Sequence, residues 1–358
     1  MRTVDFDYSL PPELIAQTPA AERDQARLLV LCRADGRMAH RSFRDLLEYL
    51  RVGDVLVLNN SRVIPARLRG TKAGSGGQVE VLLLEENAVN DWWVMLRPGK
   101  RVRADTTISF LNRSGHRSEV NARVVEKDPE GHCRLQFSGT ANIAETLPSL
   151  GEVPLPPYIT RETPMDNADD REHYQTVYAQ PPGSVAAPTA GLHFTEASLE
   201  EIRSRGVHVC FLTLHVGLGT FAPVKAEKLE DHIMHEERFE ISAATAETIN
   251  EAKRTNRRVI AVGTTSLRVL ERVAASNQGR LLECRGRTGI FIYPPRSLMV
   301  ADALITNFHL PQSTLLMLVS AFAAPGQTRG RELILSAYAE AIRERYRFYS
   351  YGDAMLIL

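Results

Sequence analysis

The feature that most constrains the fold is an alternation of strand-like and helix-like segments that begins after Gly151. Short apolar runs at 207–216 and 258–262 are typical of strands, whereas the amphipathic stretches 242–256 and 331–346 are typical of helices. Strands that alternate with helices form a sheet that the helices cover on its faces. We therefore predict an α/β fold with a mostly parallel sheet and helices.

A second pattern interrupts this alternation between residues 60 and 150. Short strand-like segments are separated there by turn signals such as Gly74-Ser75-Gly76-Gly77 and Arg97-Pro98-Gly99-Lys100. Strands at this spacing predict a small antiparallel barrel or sandwich. Because residues 54–58 also read as a strand of the later sheet, we predict an inserted antiparallel β-barrel domain at 60–150. The α/β catalytic domain is then discontinuous, at 1–59 and 151–358.

Composition excludes several classes of protein. The 43 basic and 43 acidic residues balance, and 44% of residues are hydrophobic, which excludes a disordered or fibrous chain. No apolar run reaches the roughly 20 residues that cross a membrane, and residues 1–7 carry two acids and no apolar signal segment. The four cysteines form no CxxC pair. We expect a cytoplasmic protein with reduced thiols and no membrane partner.

Small and polar residues follow three of the predicted strands, at 215–220, 263–266 and 306–309, and a fourth such segment is 183–193. Ligands of parallel sheets bind beyond the carboxyl ends of the strands, so these loops are candidate binding sites. The 263–266 turn would present free N–H groups at a helix start, which suits a carboxylate, a phosphate or a ribose hydroxyl. A helix cap without any ligand is the alternative.

Two weaker motifs leave other functions open. Gly217-x-Gly219-x-x-Ala222 matches a dinucleotide fingerprint, although Pro223 follows it directly. His232 and His235 lie three residues apart in an acidic segment, but no second cluster completes a metal site, and hydrogen-bonding histidines explain them as well. A dinucleotide or metal enzyme is therefore one alternative to the function considered below.

Basic residues cluster in the predicted barrel. Arg97, Lys100, Arg101 and Arg103 give four charges in seven residues directly after Trp92-Trp93, and Arg62, Arg67 and Arg69 form a second group. Such clusters are usually solvated faces, but they also suit phosphate contacts, with aromatic rings that stack on bases. A non-catalytic RNA-binding protein is a second alternative.

Several long motifs together resemble the S-adenosylmethionine:tRNA ribosyltransferase-isomerase family of queuosine biosynthesis. The resemblance covers the whole chain, and its motifs are Asp5-Phe6-Asp7-Tyr8, 14–17, Asn59-Asn60-Ser61-Arg62-Val63, 183–195, 215–220, 263–268, Gly289-Ile290-Phe291-Ile292-Tyr293-Pro294, 304–310 and 346–356. Two positions depart from the family pattern, because Pro295 and Ala324 stand where glycine is expected.

The resemblance implies a reaction and its partners. The ribosyl part of S-adenosylmethionine would be transferred to 7-aminomethyl-7-deazaguanine at the tRNA wobble position and isomerised to epoxyqueuosine, with release of adenine and methionine. S-adenosylmethionine would then be a consumed co-substrate, and the family expectation is a cytoplasmic monomer without a metal. A wobble base lies in a single-stranded loop, so it can be turned out into a deep pocket between the two domains.

This chemistry requires groups that move protons. The aminomethyl nitrogen and the carbon beside the sulfonium must each lose a proton, which suits histidine because its pKa lies near neutral pH. Our candidates are His215 and His193 first, then His309, with Glu236 as a carboxylate alternative, although each histidine could equally orient a loop. The expected co-substrate contacts are Gly217, Gly219, Thr220, Gly263, Thr264, Thr265, Ser266, Thr306 and Asn307. The expected tRNA contacts are Arg62, Arg97, Lys100, Arg101 and Arg103.

Overall fold

The computed structural model describes residues 1–161, 168–217, 219 and 224–358, apart from the side chains of Arg101, Ala168 and Asp169. The strands of this part of the chain are β1 (Arg27–Leu31), β2 (Met38–Ser42), β3 (Val55–Asn59), β4 (Arg62–Val63), β5 (Arg67–Lys72), β6 (Gln78–Ala88), β7 (Asp91–Arg97), β8 (Thr107–Leu111), β9 (Arg117–Lys127), β10 (Cys133–Ser138), β11 (Pro182–Ser184), β12 (His208–Leu214), β13 (Glu237–Ile241), β14 (Val259–Val262), β15 (Cys284–Thr288), β16 (Ala303–Asn307) and β17 (Ala354–Ile357). Its α-helices are α1 (Ile143–Leu150), α2 (Ala168–His173), α3 (Glu196–Ser204), α4 (Ala243–Arg254), α5 (Gly263–Ser276), α6 (Thr314–Ala323) and α7 (Gly330–Arg343).

One large sheet has the strand order β15-β13-β12-β3-β14-β16-β17-β1-β2. The pairs β12–β3, β3–β14, β14–β16 and β17–β1 are parallel, and the remaining neighbours are antiparallel. Six of the nine described strands therefore run in one direction, and the predicted mostly parallel α/β sheet is confirmed. β3 lies near the middle of the order, so the first 59 residues do contribute to this sheet, as we predicted.

The alternation of side chains along the central strands builds two cores. In β3, Val55 and Val57 pack with α4, α5, α6 and α7 on one face of the sheet. Leu56 and Leu58 pack on the other face, with α3 and the 3-10 helix Phe43–Glu48. Every residue of β3, β14 and β16 is buried, which is typical of strands covered by helices on both faces.

The apolar run at 207–216 forms a strand, as predicted, but this strand is not buried throughout. In β12, His208 is exposed, residues 209–211 are half-buried, and only residues 212–214 are fully buried. The described pairing of β12 with β13 involves only Thr213 and Leu214. The first half of β12 is therefore a sheet edge on that side, where solvent reaches the side chains.

The inserted antiparallel barrel is also confirmed. Six strands close it in the order β10-β7-β6-β5-β8-β9, around an apolar interior that includes Leu68, Val81 and Leu135. Helix α1, which the sequence did not predict, packs Ile143 and Leu147 against the same core. The division into a barrel domain at 60–150 and a discontinuous α/β domain at 1–59 and 151–358 stays a prediction.

Several local expectations differ from the structure. The predicted strand at 62–69 divides into β4 and β5 around Pro65, because proline has no N–H for a sheet ladder. Helix α5 begins at Gly263 rather than at Ser266, so the expected 263–266 loop is the first helical turn. Strands β1, β2, β11, β13, β15 and β17 had no prediction, and the polar sequence of β15 carries no strand signal.

The positions that depart from the family pattern are accommodated. Ala324 ends α6 with a φ of −148°, which any residue can adopt, and the peptide bond between Pro294 and Pro295 is cis.

All four cysteines are free thiols. No helix among the described residues has the length and apolar character to cross a membrane.

Candidate active site

A cavity lies where the carboxyl ends of β12, β14 and β16 meet. Val216 follows β12, residues 263–265 follow β14, and Thr306 and Asn307 end β16, and all of them line the cavity. About 830 Å³ of space is unoccupied there, part of it open to solvent. The described wall consists of Tyr158, 187–190, Val216, 263–265, 306–311, Ser313, Leu315, Tyr349 and Ser350. The predicted convergence of these three segments on one edge of the sheet is therefore present.

Hydrogen bonds hold the polar part of the wall in one arrangement. Thr189 Oγ1 donates to Asn307 Oδ1 at 2.8 Å, and Asn307 Nδ2 donates to the carbonyl oxygen of Tyr349 at 3.2 Å. His309 Nε2 lies 2.8 Å from Thr306 Oγ1. The main chain of His309 is fixed as well, since Tyr338 accepts from its N–H at 2.8 Å. Three separate segments of the chain are thus joined around the cavity.

The cavity wall carries no formal charge among the described residues. It contains no lysine, arginine, aspartate or glutamate. Burial lowers the pKa of His309 from 6.5 to about 3, so this imidazole is neutral at pH 7. Three aromatic rings, those of Tyr158, Phe308 and Tyr349, line the same space, and Tyr158 and Tyr349 contact each other with centroids 4.7 Å apart. The site therefore suits a ligand that binds through hydrogen bonds to polar groups and through contacts with aromatic rings.

His193 lies behind this wall and does not line the cavity. Its Nδ1 is 3.2 Å from the carbonyl oxygen of Ala190, and its Nε2 is 3.0 Å from that of Gly352. The ring stacks on Phe43 with centroids 5.0 Å apart, and burial lowers its pKa. A second cavity, which His193 lines with Arg23, lies on its other side. Both ring nitrogens therefore face carbonyl oxygens of the protein, and the neutral imidazole donates its one N–H to one of them.

His215 also lies outside the cavity lining, next to Val216 in the chain. Its ring packs against Gly183, where a Cβ would lie 2.7 Å from Nδ1, so only glycine leaves room for it. Nδ1 is buried and has no hydrogen-bond partner among the described residues. Burial and the positive charge of Arg238 lower the pKa of His215, which keeps the ring neutral. This free nitrogen distinguishes His215 from His193.

The remaining candidates near β12 and β13 do not reach the cavity. Glu236 is exposed and accepts a hydrogen bond from Arg287 Nε at 2.9 Å. The N–H of Gly217 donates to Glu237 Oε1 at 2.9 Å, and a Cβ on Gly219 would lie 2.6 Å from the His235 ring. Thr220 lies outside the described residues.

Among the co-substrate candidates on β14, β16 and α5, the structure separates one from the rest. Ser266 is fully buried outside the lining, and its Oγ has no described partner. Gly263, Thr264, Thr265, Thr306 and Asn307 do line the cavity.

The two weaker motifs gain no support from the described part of the chain. β12 is followed by the antiparallel β13, with no described α-helix between them to complete a dinucleotide fold at Gly217. Neither His232 nor His235 belongs to a described group of three metal-ligating side chains. The one such group in the described ranges is Asp128, Glu130 and His132 in the turn between β9 and β10 of the barrel.

The basic residues of the barrel are exposed. Arg97 ends β7, Lys100 and Arg103 follow it, and Arg62 lies on β4 in the link from the sheet to the barrel. The structure does not describe the side chain of Arg101. Arg69, in contrast, is paired with Glu152 at 2.6 Å.

Sequence reasoning missed a buried ion pair beside the cavity. Arg268 of α5 is 1% exposed and Glu237 of β13 is 6% exposed, and the two side chains are in direct contact. The available signal was a lone arginine within the apolar run Leu267-Arg268-Val269-Leu270 of a predicted helix. Tyr158 and Tyr349 were also missed as wall residues, since neither lies in a loop that follows a predicted strand.

Comparison with known proteins identifies the family of the chain. Residues 3–357 match the family model described as queuosine biosynthesis protein. A solved structure of S-adenosylmethionine tRNA ribosyltransferase from Thermotoga maritima is 36% identical, covers 99% of this chain and 100% of its own, and superimposes with a TM-score of 0.55. The chain therefore belongs to the queuosine biosynthesis protein family.

Proposed function

We propose that the protein is an S-adenosylmethionine:tRNA ribosyltransferase-isomerase. It transfers the ribosyl part of S-adenosylmethionine to 7-aminomethyl-7-deazaguanine at the wobble position of tRNA and isomerises it to epoxyqueuosine, while adenine and methionine leave. The observation that carries the proposal is the uncharged cavity at the carboxyl ends of β14 and β16, in a chain of this family. The matched solved structure bears the name of the same transferase activity.

The chemistry of the cavity wall suits S-adenosylmethionine. The aromatic rings of Tyr158, Phe308 and Tyr349 can contact a sulfonium, because the faces of aromatic rings attract cations. A neutral His309 adds no positive charge that would repel the sulfonium. Asn307 and His309 can exchange hydrogen bonds with the adenine ring.

A row of charged side chains on the outer face of the barrel adjoins the segment that leads to this cavity. Arg69, Glu80 and Arg97 are directly paired across β5, β6 and β7, so they share one outer face. Arg67, beside them, donates from Nη2 to the carbonyl oxygen of Leu155 at 3.3 Å. The same connecting segment carries Tyr158 into the cavity wall. If the barrel binds the phosphates of the anticodon stem, the anticodon loop would therefore lie close to the cavity.

Of the predicted proton acceptors, His215 is the one we retain as the candidate base. Its Nδ1 is free of partners among the described residues, whereas both nitrogens of His193 face carbonyl oxygens. A pKa of about 3 makes His309 a weak base, which favours a hydrogen-bonding role for it. Glu236 is held by Arg287 on the surface, which disfavours a catalytic role. A cytoplasmic location, a monomeric state and independence of metal ions stay predictions.

The test is a reconstituted reaction. The protein is incubated with S-adenosylmethionine and tRNA that carries 7-aminomethyl-7-deazaguanine, and the digested nucleosides are weighed by mass spectrometry while adenine release is measured. We expect the mass of epoxyqueuosine and one adenine for each modified tRNA. The control is the same tRNA with guanine at the wobble position, which has no aminomethyl group to accept the ribosyl unit. If adenine is released equally from both tRNAs, or from neither, the proposal fails.

A further inference from the structure

Two helices begin at the cavity wall, and only one of them is capped by a side chain. At the start of α6, Ser313 Oγ accepts from the N–H of Leu316 at 3.2 Å. At the start of α5, the N-cap residue is Val262, which offers no side-chain acceptor. The first N–H groups of a helix have no partner within the helix and carry a partial positive charge. The 14-residue helix α5 thus leaves this charge at the cavity without a side-chain cap.

A buried hydroxyl beside this helix start also lacks a partner. Thr265 lines the cavity with only 6% of its surface exposed, and its Oγ1 has no hydrogen bond to any described residue. A Cβ built on Gly263 would lie 3.3 Å from this oxygen, so the hydroxyl lies close to Gly263, which also lines the cavity. Buried hydroxyl groups without a partner are costly, so an unpartnered hydroxyl on a residue of the cavity wall suits a hydrogen bond to a bound group.

The backbone supports the same assignment. Gly263 has a φ of 84°, a conformation that favours glycine, and it turns the chain directly from β14 into α5. The first turn therefore follows the strand end without an intervening loop. No lysine or arginine is among the described wall residues, so the positive potential of the wall comes from helix starts, of which that of α5 has no side-chain cap. This arrangement favours a ligand that carries one anionic group and is otherwise uncharged or cationic.

We propose that the first turn of α5, with the Thr265 hydroxyl, binds the carboxylate of the methionyl part of S-adenosylmethionine. The assignment rests on the proposed function, and it adds which part of the co-substrate this turn recognises. The carboxylate is the one anionic group of that molecule. Thr265 then discriminates between the intact co-substrate and related nucleosides that lack a carboxylate.

Calorimetric binding without tRNA tests the assignment. The ligands are S-adenosylmethionine and decarboxylated S-adenosylmethionine, which lacks only the carboxylate. Thr265→Val removes the hydroxyl and keeps the shape of the side chain. Because a hydrogen bond to a charged group is lost, we expect roughly a tenfold to hundredfold weaker affinity for S-adenosylmethionine. The affinity for the decarboxylated ligand should change less than about twofold, since this ligand has no carboxylate for the hydroxyl to bind.

A matched control and the wild-type protein complete the test. Thr248→Val makes the same change on the exposed face of α4, where Thr248 Oγ1 donates to Ala244 at 2.9 Å, and should bind both ligands as wild type does. Wild-type protein alone should prefer S-adenosylmethionine over the decarboxylated ligand, whatever the stability of the variant. If wild-type protein binds both ligands with equal affinity, or if Thr265→Val loses the same affinity for both, the carboxylate assignment is wrong, while the proposed function is unaffected. If folded wild-type protein does not bind S-adenosylmethionine at all, the proposed function itself is wrong.

Discussion

Removing the charge of Glu237 should destabilise the protein far more than an ordinary surface substitution does. Glu237 and Arg268 are 6% and 1% exposed, so the partner charge cannot be hydrated when its counter-ion is lost. Breaking such a buried pair costs about 3–5 kcal/mol. This is a large part of the roughly 5–15 kcal/mol of unfolding free energy that native domains have. Glu237→Gln retains an oxygen that can accept from the N–H of Gly217, so the loss reports mainly the unpaired guanidinium.

The same strand supplies the control. Glu240 of β13 pairs with Arg285 at 2.9 Å, but these side chains are 47% and 81% exposed. Exposed pairs contribute about 0–1 kcal/mol, so Glu240→Gln should unfold almost as wild type does. Adding Arg268→Met to Glu237→Gln removes the buried unpaired cation and should regain most of the lost free energy.

Equilibrium urea unfolding, followed by circular dichroism, measures these differences. We expect the unfolding free energies in the order wild type, Glu240→Gln, the double variant and then Glu237→Gln. If Glu237→Gln and Glu240→Gln lose the same free energy, burial does not set the cost of this pair. If the double variant is no more stable than Glu237→Gln, the unpaired guanidinium is not the source of the lost stability.

Three further predictions concern the barrel and two histidines. Replacing Arg97, Lys100 and Arg103 together by glutamine should weaken tRNA binding and reduce the slope of log affinity against log salt by about 2–3, because three phosphate contacts are lost; filter binding at several salt concentrations measures this, and an unchanged slope removes the segment from the interface. His215→Ala should lower turnover by about a hundredfold or more while S-adenosylmethionine affinity changes little, and near-normal single-turnover rates would eliminate His215 as the base. His309 has its pKa lowered to about 3, so the unfolded chain takes up a proton below pH 6.5 while the folded protein does not. Stability is therefore present above pH 6.5 and lost toward pH 3, by up to about 1.4 kcal/mol for each pH unit, and His309→Asn should lack this loss; parallel curves of unfolding free energy against pH for the two proteins would contradict the assignment.

Local patterns of the sequence were sufficient for the architecture. Alternating strands and helices predicted the sheet, and short strands with turn signals predicted the barrel, because the periodicity of apolar residues reports which faces are buried. The caps follow residue type as well, since Thr195 and Ser313, which precede α3 and α6, accept hydrogen bonds from the first turns of these helices. Short polar strands such as β15 were missed, since pairing at a sheet edge rather than residue preference holds them in place.

The candidate site was only partly accessible from the sequence. Residues 263–265, Thr306 and His309 could be predicted as neighbours, because the ends of adjacent parallel strands must meet at one edge of the sheet. His193 and His215 have the same residue type as His309, and only tertiary packing decides that carbonyl oxygens engage the first and that the second lies beside Gly183 outside the cavity wall.

The other features of the site depend on contacts between residues that are far apart in the sequence. Tyr158 and Tyr349, 191 positions apart in the sequence, contact each other in one wall, and Arg268 of α5 pairs with Glu237 of β13. The sequence by itself thus determined which elements form and which strand ends gather, since these depend on local periodicity and on the geometry of parallel sheets. Burial, the absence of charge in the described cavity wall and the pairing of distant side chains depend on how those elements pack, which only the tertiary structure decided.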